Sequence, residues 1–375
     1  MVETQFLFVT CQVGSESILK QNLSEEGLRF SFSRPGFLTF KLPRPYSLNE
    51  PYSLHNPFAR SYGLCLGKIA AETEISGAAR VWEQLSDVPF NQLHVWPRDR
   101  APAGQRNFHP GLNDYSRAAE QALLQKVPPG QLIRSSLEGE TSQNIGRHIG
   151  RRNDQVLDCI LVDPGEWWIG AHRVDRWVQR WPGGFWTAGE PVEMVSRAFL
   201  KMSEALEWVC WPLKAGQRCV ELGCAPGGAS QALLSHGLRV VGIDPATVDP
   251  KILAHPDFHH LRKRSGDVRV RDFQEFQWLT ADMNIAPDDT LSEVERIVSH
   301  RGNRIRGLIL TLKLNDWNLA EQVPAYLERI RGWGYPRVRA RQLSHNRQEI
   351  CLAGLRPQQK TGRRKPVFRS NVKRR

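Results

Sequence analysis

The sequence predicts an α/β chain in which a Rossmann-like, nucleoside-binding domain follows a mixed α+β half. Three observations lead there. Arg218 to Asp244 (RCVELGCAPGGASQALLSHGLRVVGID) reads strand, glycine turn, helix, strand. Further buried strands follow at Phe258 to Leu261, Phe276 to Leu279 and Gly307 to Leu314. The first half mixes short strands with helices in no repeating βα order.

Taken from the start, Phe6 to Val13 alternates as a strand, and Ser15 opens a helix carrying Ile18, Leu19 and Leu23 that Gly27 stops. Leu28 to Phe32 and Phe37 to Leu42 flank Arg34-Pro35-Gly36 as a hairpin. Pro43 to Pro57 is rich in Pro, Ser and Asn and reads as a connection, so a first unit spans residues 1–57. In a second unit, residues 58–176, Ile75 to Leu85 and Asn113 to Val127 read as helices. Leu93 to Trp96 and Val156 to Val162 read as strands there, and Trp167 to His172 closes a hairpin. Gly- and Pro-containing residues 177–189 form a linker, in which Trp177, Trp181 and Trp186 either pack between domains or stack on single-stranded RNA bases. The Rossmann-like domain is expected over residues 190–355, before a polar tail, residues 356–375.

In the central unit, Cys219 to Leu222 is the buried strand, Gly223, Gly227 and Gly228 make the turn, and Ala229, Leu233 and Leu234 give the helix an apolar face that His236-Gly237 ends. Glycines let backbone approach a ligand closely, and the helix N-terminus behind them offers unpaired amides. Asp244, at the end of the second strand, stands where such folds bind a ribose diol. No Gly-Lys-Ser/Thr follows, and the spacing is not GxGxxG, which argues against a P-loop and a regular dinucleotide site.

Among 375 residues, 40% are apolar, enough for two or three packed domains, and no apolar run is long enough to span a membrane. The opening residues hold Glu3 and no basic region of a secretory signal. Cys11, Cys65, Cys159, Cys210, Cys219, Cys224 and Cys351 form no CxxC pair, arguing against zinc and disulfide frameworks and for a reducing cytoplasm. Net charge is +12, of which nine lysines and arginines lie in the last 20 residues; without them the chain carries only +3. That tail is expected to be disordered, either as a solubilising segment or as a phosphate contact. Two more basic stretches, Arg147, His148, Arg151 and Arg152, and Arg262-Lys263-Arg264 with Arg269 and Arg271, read equally as phosphate-facing patches or solvated surface. His255, His259 and His260 lack a carboxylate or cysteine pattern to complete a metal site, and no metal is expected.

Glu221 to Gly228 (ELGCAPGG) resembles the first motif of the FtsJ family of S-adenosylmethionine-dependent ribose 2′-O-methyltransferases. Glu221 and Ala229 depart from that family's usual Asp and Trp. The resemblance extends to a Lys-Asp-Lys-Glu tetrad in chain order. Ser196 to Lys201 (SRAFLK) resembles the family's SRAxxK segment, and Thr280-Ala281-Asp282-Met283 stands where it carries SDM. Lys313 interrupts an apolar strand near its C-terminal end, and Ser344 to Ile350 (SHNRQEI) resembles HDREEV and brings Glu349. The resemblance implies S-adenosylmethionine as cofactor, held by backbone at Gly223, Ala225, Pro226, Gly227 and Gly228 and by Ser196, Asp244, Asp267 and Asp282. It makes Lys313, Lys201, Asp282 and Glu349 the catalytic set, with Lys313 as general base and its pKa depressed by burial and by Lys201.

The first half resembles a ferredoxin-like piece followed by a THUMP domain, an RNA-binding module. That order is similar to the large-subunit rRNA cytidine 2′-O-methyltransferases of the family. RNA, specifically 23S rRNA or a large-subunit precursor, is the implied partner, with no DNA and no membrane; oligomeric state is open. Two other readings stay open: a ribose methyltransferase for tRNA or another rRNA site, and a catalytically silent RNA-binding protein. Singly, each tetrad residue also reads as surface or cap: a strand-end lysine snorkels to water, Asp282 or Glu349 can be a surface acid, Asp267 a turn residue and Ser196 an N-cap.

Overall fold

The computed structural model describes residues 2–85, 88–102, 105, 111–133, 149–187 and 193–357. Arg147, His148, residues 188–189 of the linker, residues 190–192 at the start of the next domain and nearly all of the basic tail lie outside them.

The first half is a seven-stranded sheet with helices on one face. Its elements run β1 (Glu3–Thr10), α1 (Glu16–Glu25), β2 (Arg29–Arg34), β3 (Phe37–Ser47), β4 (Ser61–Ala70), α2 (Glu74–Gln84), β5 (Gln92–Pro97), α3 (Asp114–Lys126), β6 (Gln155–Asp163) and β7 (Glu166–Arg173). The strand order is β2-β3-β1-β4-β7-β6-β5, antiparallel except for β5 on β6. The expected strands, hairpin and helices are all present. β4 carries no clean alternation because Gly67 inserts a register shift against β7, and it lies at the centre of the sheet. Pairing of β1 with β4 carries the sheet without a break across residue 57. Alternation divides each strand between two faces. Leu93, Val95, Leu157, Cys159, Leu161, Ile169 and Ala171 pack in the core that also takes α1, α2 and α3 residues. On the other face Trp96, Ile160 and Val162 cluster with Phe185 of the linker.

The second half is a doubly wound sheet. Its elements run α4 (Ala198–Val209), β8 (Arg218–Leu222), α5 (Gly228–Ser235), β9 (Arg239–Ile243), α6 (Pro250–Leu253), β10 (Phe258–Leu261), β11 (Trp278–Ala281), α7 (Pro287–Val298), β12 (Gly307–Lys313), α8 (Val323–Gly332), β13 (Arg337–Arg341) and β14 (Glu349–Leu355). The order is β10-β9-β8-β11-β12-β14-β13, with β14 antiparallel to both neighbours. It differs from the dinucleotide-binding order by this last strand, inserted between the fifth and sixth. The carboxyl ends of β8, β9, β11 and β12 therefore share one edge with the start of β14. The third of these strands begins at Trp278 rather than Phe276, because Phe276 is buried beside Phe273 at the end of a preceding 3-10 turn.

The halves pack on each other. Phe58 meets Trp317 with ring centroids 6.5 Å apart, Trp186 is buried between the units, and Trp181 is buried beside Trp177. Trp186 donates its backbone N–H to Ser344 Oγ and its indole N–H to Glu207. These tryptophans take the packing alternative of the two that the sequence left open.

Candidate active site

Three strand ends and one helix converge on a closed ring of charges. Lys201 reaches it from the first turns of α4, Asp282 from the residue after β11, Lys313 from the last position of β12 and Glu349 from the first of β14. Lys313 and Glu349 are paired across the sheet by register. Lys201 Nζ donates to Asp282 Oδ2 at 2.5 Å and to Glu349 Oε2 at 3.1 Å; Lys313 Nζ donates to Asp282 Oδ1 at 2.7 Å and to Glu349 Oε1 at 2.6 Å. Every carboxylate oxygen of the pair thus holds one ammonium. The four side chains are only 10–15% exposed, so these bonds work in a poorly solvated setting where opposite charges interact strongly.

The electrostatics follow from that alternation. Burial pushes the Glu349 carboxyl up, but Lys201 and Lys313 outweigh it and hold it at about 2. Burial pulls the Lys313 ammonium down, yet Asp282 and Glu349 reverse the balance and raise it above its ordinary value of 10.5. The sequence-based expectation of a depressed Lys313 pKa is corrected here: the nearest charges are two anions, and they outweigh the effect of Lys201 at the far side of the ring.

Beside the ring lies the glycine turn. Gly223 follows β8 at φ +79°, and a Cβ there would come within 2.6 Å of the Asp282 carbonyl oxygen, so the turn and the tetrad touch through backbone. Gly228 begins α5 directly against Ser196, whose Oγ would be 2.2 Å from an added Cβ. Ser196 Oγ accepts from the Ala198 N–H at 3.3 Å, one position before the residue that caps α4. Gly227 caps α5 with no side chain, leaving the first amides of that helix free of any capping side chain. Asp244 Oδ2 accepts from the Ala225 N–H at 3.0 Å and Oδ1 from the Ala246 N–H at 2.8 Å, so this carboxylate braces the turn. Asp267 is exposed in a 3-10 turn after β10, on the same edge. Arg262 donates to the Pro245 carbonyl, placing the basic run beside Asp244.

Glu221 lies under the turn, fully buried, with Ser230 donating to it. Burial first, then Asp282 and Asp244, push its carboxyl up to about 8 against that hydrogen bond. An acid at the end of an apolar strand was visible in the sequence; its partner nine residues on was not singled out. Glu204, Asn346 and Gln12 were also missed. Glu204 sits on the buried face of α4 and accepts from the Ser344 and His345 backbone N–H groups at 2.9 and 3.3 Å. An acid flanked by Ser203 and Ala205 on that face was the available signal.

The described histidines at 255, 259 and 260 do not gather. Among the described residues, His94, Asp158 and His172 in the first half do, fully enclosed. His172 Nδ1 stands 2.5 Å from Asp158 Oδ2, and its Nε2 reaches the Gln179 carbonyl at 2.9 Å. Two ligands of one tetrahedral ion stand about 3.3 Å apart, so the 2.5 Å contact is a hydrogen-bonded ion pair between β6 and β7, and the Gln179 contact ties the linker to it.

The site thus joins a strand–turn–helix–strand unit to a Lys-Asp-Lys-Glu ring at the carboxyl edge of the sheet. Residues 194–321 match the FtsJ-like methyltransferase family. The chain is similar to Ribosomal RNA large subunit methyltransferase M of Laribacter hongkongensis, 31% identical over 202 residues that cover 51% of this chain and 56% of that protein. It is also similar to the protein of that name from Halorhodospira halophila, 32% identical over 184 residues covering 47% and 51%. The chain spans about half the length of the curated relatives it matches. The matched FtsJ-like segment contains Lys201, Asp282 and Lys313; Glu349 lies beyond it and joins them only through the β12–β14 pairing.

Proposed function

We propose that the chain transfers the methyl group of S-adenosylmethionine to a ribose 2′-hydroxyl in RNA, specifically a cytidine of 23S rRNA. The carrying observation is the closed Lys201–Asp282–Lys313–Glu349 ring at the carboxyl edge of the sheet, in backbone contact with the Gly223 turn. The fit to the cofactor rests on this chain's donor set. The uncapped start of α5 suits the carboxylate of its methionine part, and Asp244 at the end of β9 suits a ribose diol. Ser196 and the turn residues Ala225, Pro226, Gly227 and Gly228 would meet the same group, and Asp267, exposed in the turn after β10, would suit the adenine amino group.

When bound, the cofactor supplies an electrophilic methyl on a sulfonium. Asp282 and Glu349 hold the Lys313 amine in one orientation through paired bonds, and Lys201 completes the ring so that neither carboxylate is left buried and unpaired. Lys313 Nζ, in its neutral form, would take the proton of a ribose 2′-hydroxyl that accepts the methyl. Arg197 and Arg347, both exposed beside Glu349, suit the phosphates flanking the target; burial first, then Arg347, holds the Arg197 guanidinium below its ordinary value. All seven cysteines are free, which supports a reducing cytoplasm, and among the described residues no helix is long and apolar enough to cross a membrane.

The test is ribose-methylation mapping of total RNA from the native host with and without this gene. Loss of one 2′-O-methyl from a large-subunit rRNA cytidine is the expected result. Loss elsewhere would keep the chemistry and change the substrate, and an unchanged map would favour a silent RNA-binding protein.

A further inference from the structure

Glu349 is carried on a loop, residues 342–348, that the first half of the chain grips. Gln342 N–H donates to the Pro57 carbonyl at 2.8 Å, and Arg341 donates to the Arg60 carbonyl at 3.2 Å. The deepest of these contacts is Gln12, just past the end of β1 and 1% exposed. Its Nε2 donates to the Asn346 carbonyl at 2.8 Å, and its Oε1 accepts from Gln342 Nε2 at 2.6 Å. Both ends of the amide are used, so its orientation is fixed by its neighbours.

Asn346 passes that constraint on. It is fully buried; its N–H donates to the Leu343 carbonyl at 3.1 Å and its Oδ1 accepts from the Leu343 N–H at 2.8 Å. With Oδ1 committed, Nδ2 points one way, and it donates to Glu349 Oε2 at 3.1 Å. That oxygen is the one that accepts from Lys201. A buried chain therefore runs Gln12, Asn346, Glu349, Lys201 and Lys313, from one half of the molecule into the ring of the other.

We propose that Gln12 is a positioning residue for methyl transfer, through which the first half of the chain aims Glu349 at the two lysines. The role rests on the methyltransferase reading above. Gln12 touches no reacting atom; it fixes the Asn346 turn three residues before Glu349. Losing it leaves the Asn346 carbonyl without its donor and frees the turn to shift. Glu349 then drifts from Lys313, which loses one of the two anions that hold its proton.

The experiment uses the full chain, with methyl transfer from S-adenosylmethionine to large-subunit rRNA purified from a host lacking this gene. Gln12→Met is expected to lower kcat about tenfold, since small misplacements of a catalytic group cost up to about 100-fold, while leaving KM for the RNA nearly unchanged. The pH at which kcat/KM levels off should fall, in the direction Glu349→Gln moves it. In the Glu349→Gln background, Gln12→Met should have no further effect, because both act on the same carboxylate. Gln12→Glu keeps the shape and the acceptor for Gln342 but sets an oxygen against the Asn346 carbonyl, and should reproduce the loss even if the methionine variant folds poorly. Losses that simply add in the double variant, or a raised KM at unchanged kcat, would overturn the role. A wild-type chain that transfers no methyl would instead remove the methyltransferase reading, and the role with it.

Discussion

The sharpest consequence of the ring is a pH profile. Lys313 is bonded to Asp282 at 2.7 Å and Glu349 at 2.6 Å, and their charges hold its ammonium above 10.5 in the free protein. At pH 7 the neutral amine is then a small minority. Because kcat/KM reports the free enzyme's base, it should rise about tenfold per pH unit with no plateau. Initial rates on large-subunit rRNA between pH 6.5 and 9.5 should thus span about three decades. Glu349→Gln removes one of the two anions, lowers the amine by about 1–3 units and bends the profile toward a plateau inside that window. Lys313→Met, close in length and uncharged, should flatten the profile and lower kcat about 10²- to 10⁴-fold, the usual worth of a general base. S-adenosylmethionine affinity, measured by calorimetry, should not fall, because the lysine contacts only the two carboxylates and its charge opposes a cation at the turn. A plateau near neutral pH in the wild type would refute the ring's hold on Lys313. A slope that survives in Lys313→Met but disappears in Lys201→Met would transfer the base to the other lysine.

Three further outcomes follow from the same structure. Glu221, raised by burial to about 8 from an ordinary 4.5, keeps its proton in the folded chain where the unfolded chain loses it. Its contribution is therefore most favourable below pH 4.5 and declines by about 1.4 kcal/mol per unit up to about pH 8; Glu221→Gln should gain on the wild type in urea midpoint across that window, and parallel midpoints would refute it. Gly223→Ala and Gly216→Ala share the strain of positive φ, at +79° and +78°, but only the first places a Cβ against backbone, 2.6 Å from the Asp282 carbonyl. Gly216→Ala should cost about 1 kcal/mol at unchanged cofactor affinity, whereas Gly223→Ala should also weaken S-adenosylmethionine binding by calorimetry; equal binding in the two would count against the turn as its site. Asp158→Asn leaves buried His172 without its counter-charge and should cost about 3–5 kcal/mol in urea unfolding, while a loss under about 1 kcal/mol would mean the pair is not charged.

What could be read in the sequence was whatever is local. The strand–turn–helix–strand unit was legible because apolar runs and glycines lie within 27 residues of each other, and Lys313 because a lysine interrupts an apolar strand. β13 was not: Arg337, Arg339 and Arg341 alternate as a polar strand, and they are accommodated only because Trp208 stacks under Arg339 at 5.2 Å and the Val209 carbonyl accepts from it. β4 was hidden by the bulge at Gly67. The ring members were named from motif order, but their mutual bonds were not legible, since Lys201 and Glu349 are 148 residues apart. Gln12 had no signal at all, because its partner Asn346 is 334 residues away and nothing about either residue type marks the contact.

The direction of the Lys313 shift changes what the rest of the site has to do. A ring of two ammoniums and two carboxylates is neutral as a whole, so its burial is tolerable only while all four are charged and paired. That arrangement favours the wrong protonation state for a base. With Lys313 as the proposed base, Asp282 and Glu349 would orient it at an energetic cost to proton removal, and a positive charge brought to the Gly223 turn would offset part of that cost. The turn is placed for it: its backbone touches the Asp282 carbonyl, and the closest described acids beneath it are Glu221, kept neutral by burial, and Asp244, occupied by the Ala225 and Ala246 amides. A cation there would stand near the ring's carboxylates and compete with Lys313 for them, weakening their grip on its proton. Under the proposed methyl transfer, arrival of a cationic methyl donor would then favour loss of the Lys313 proton.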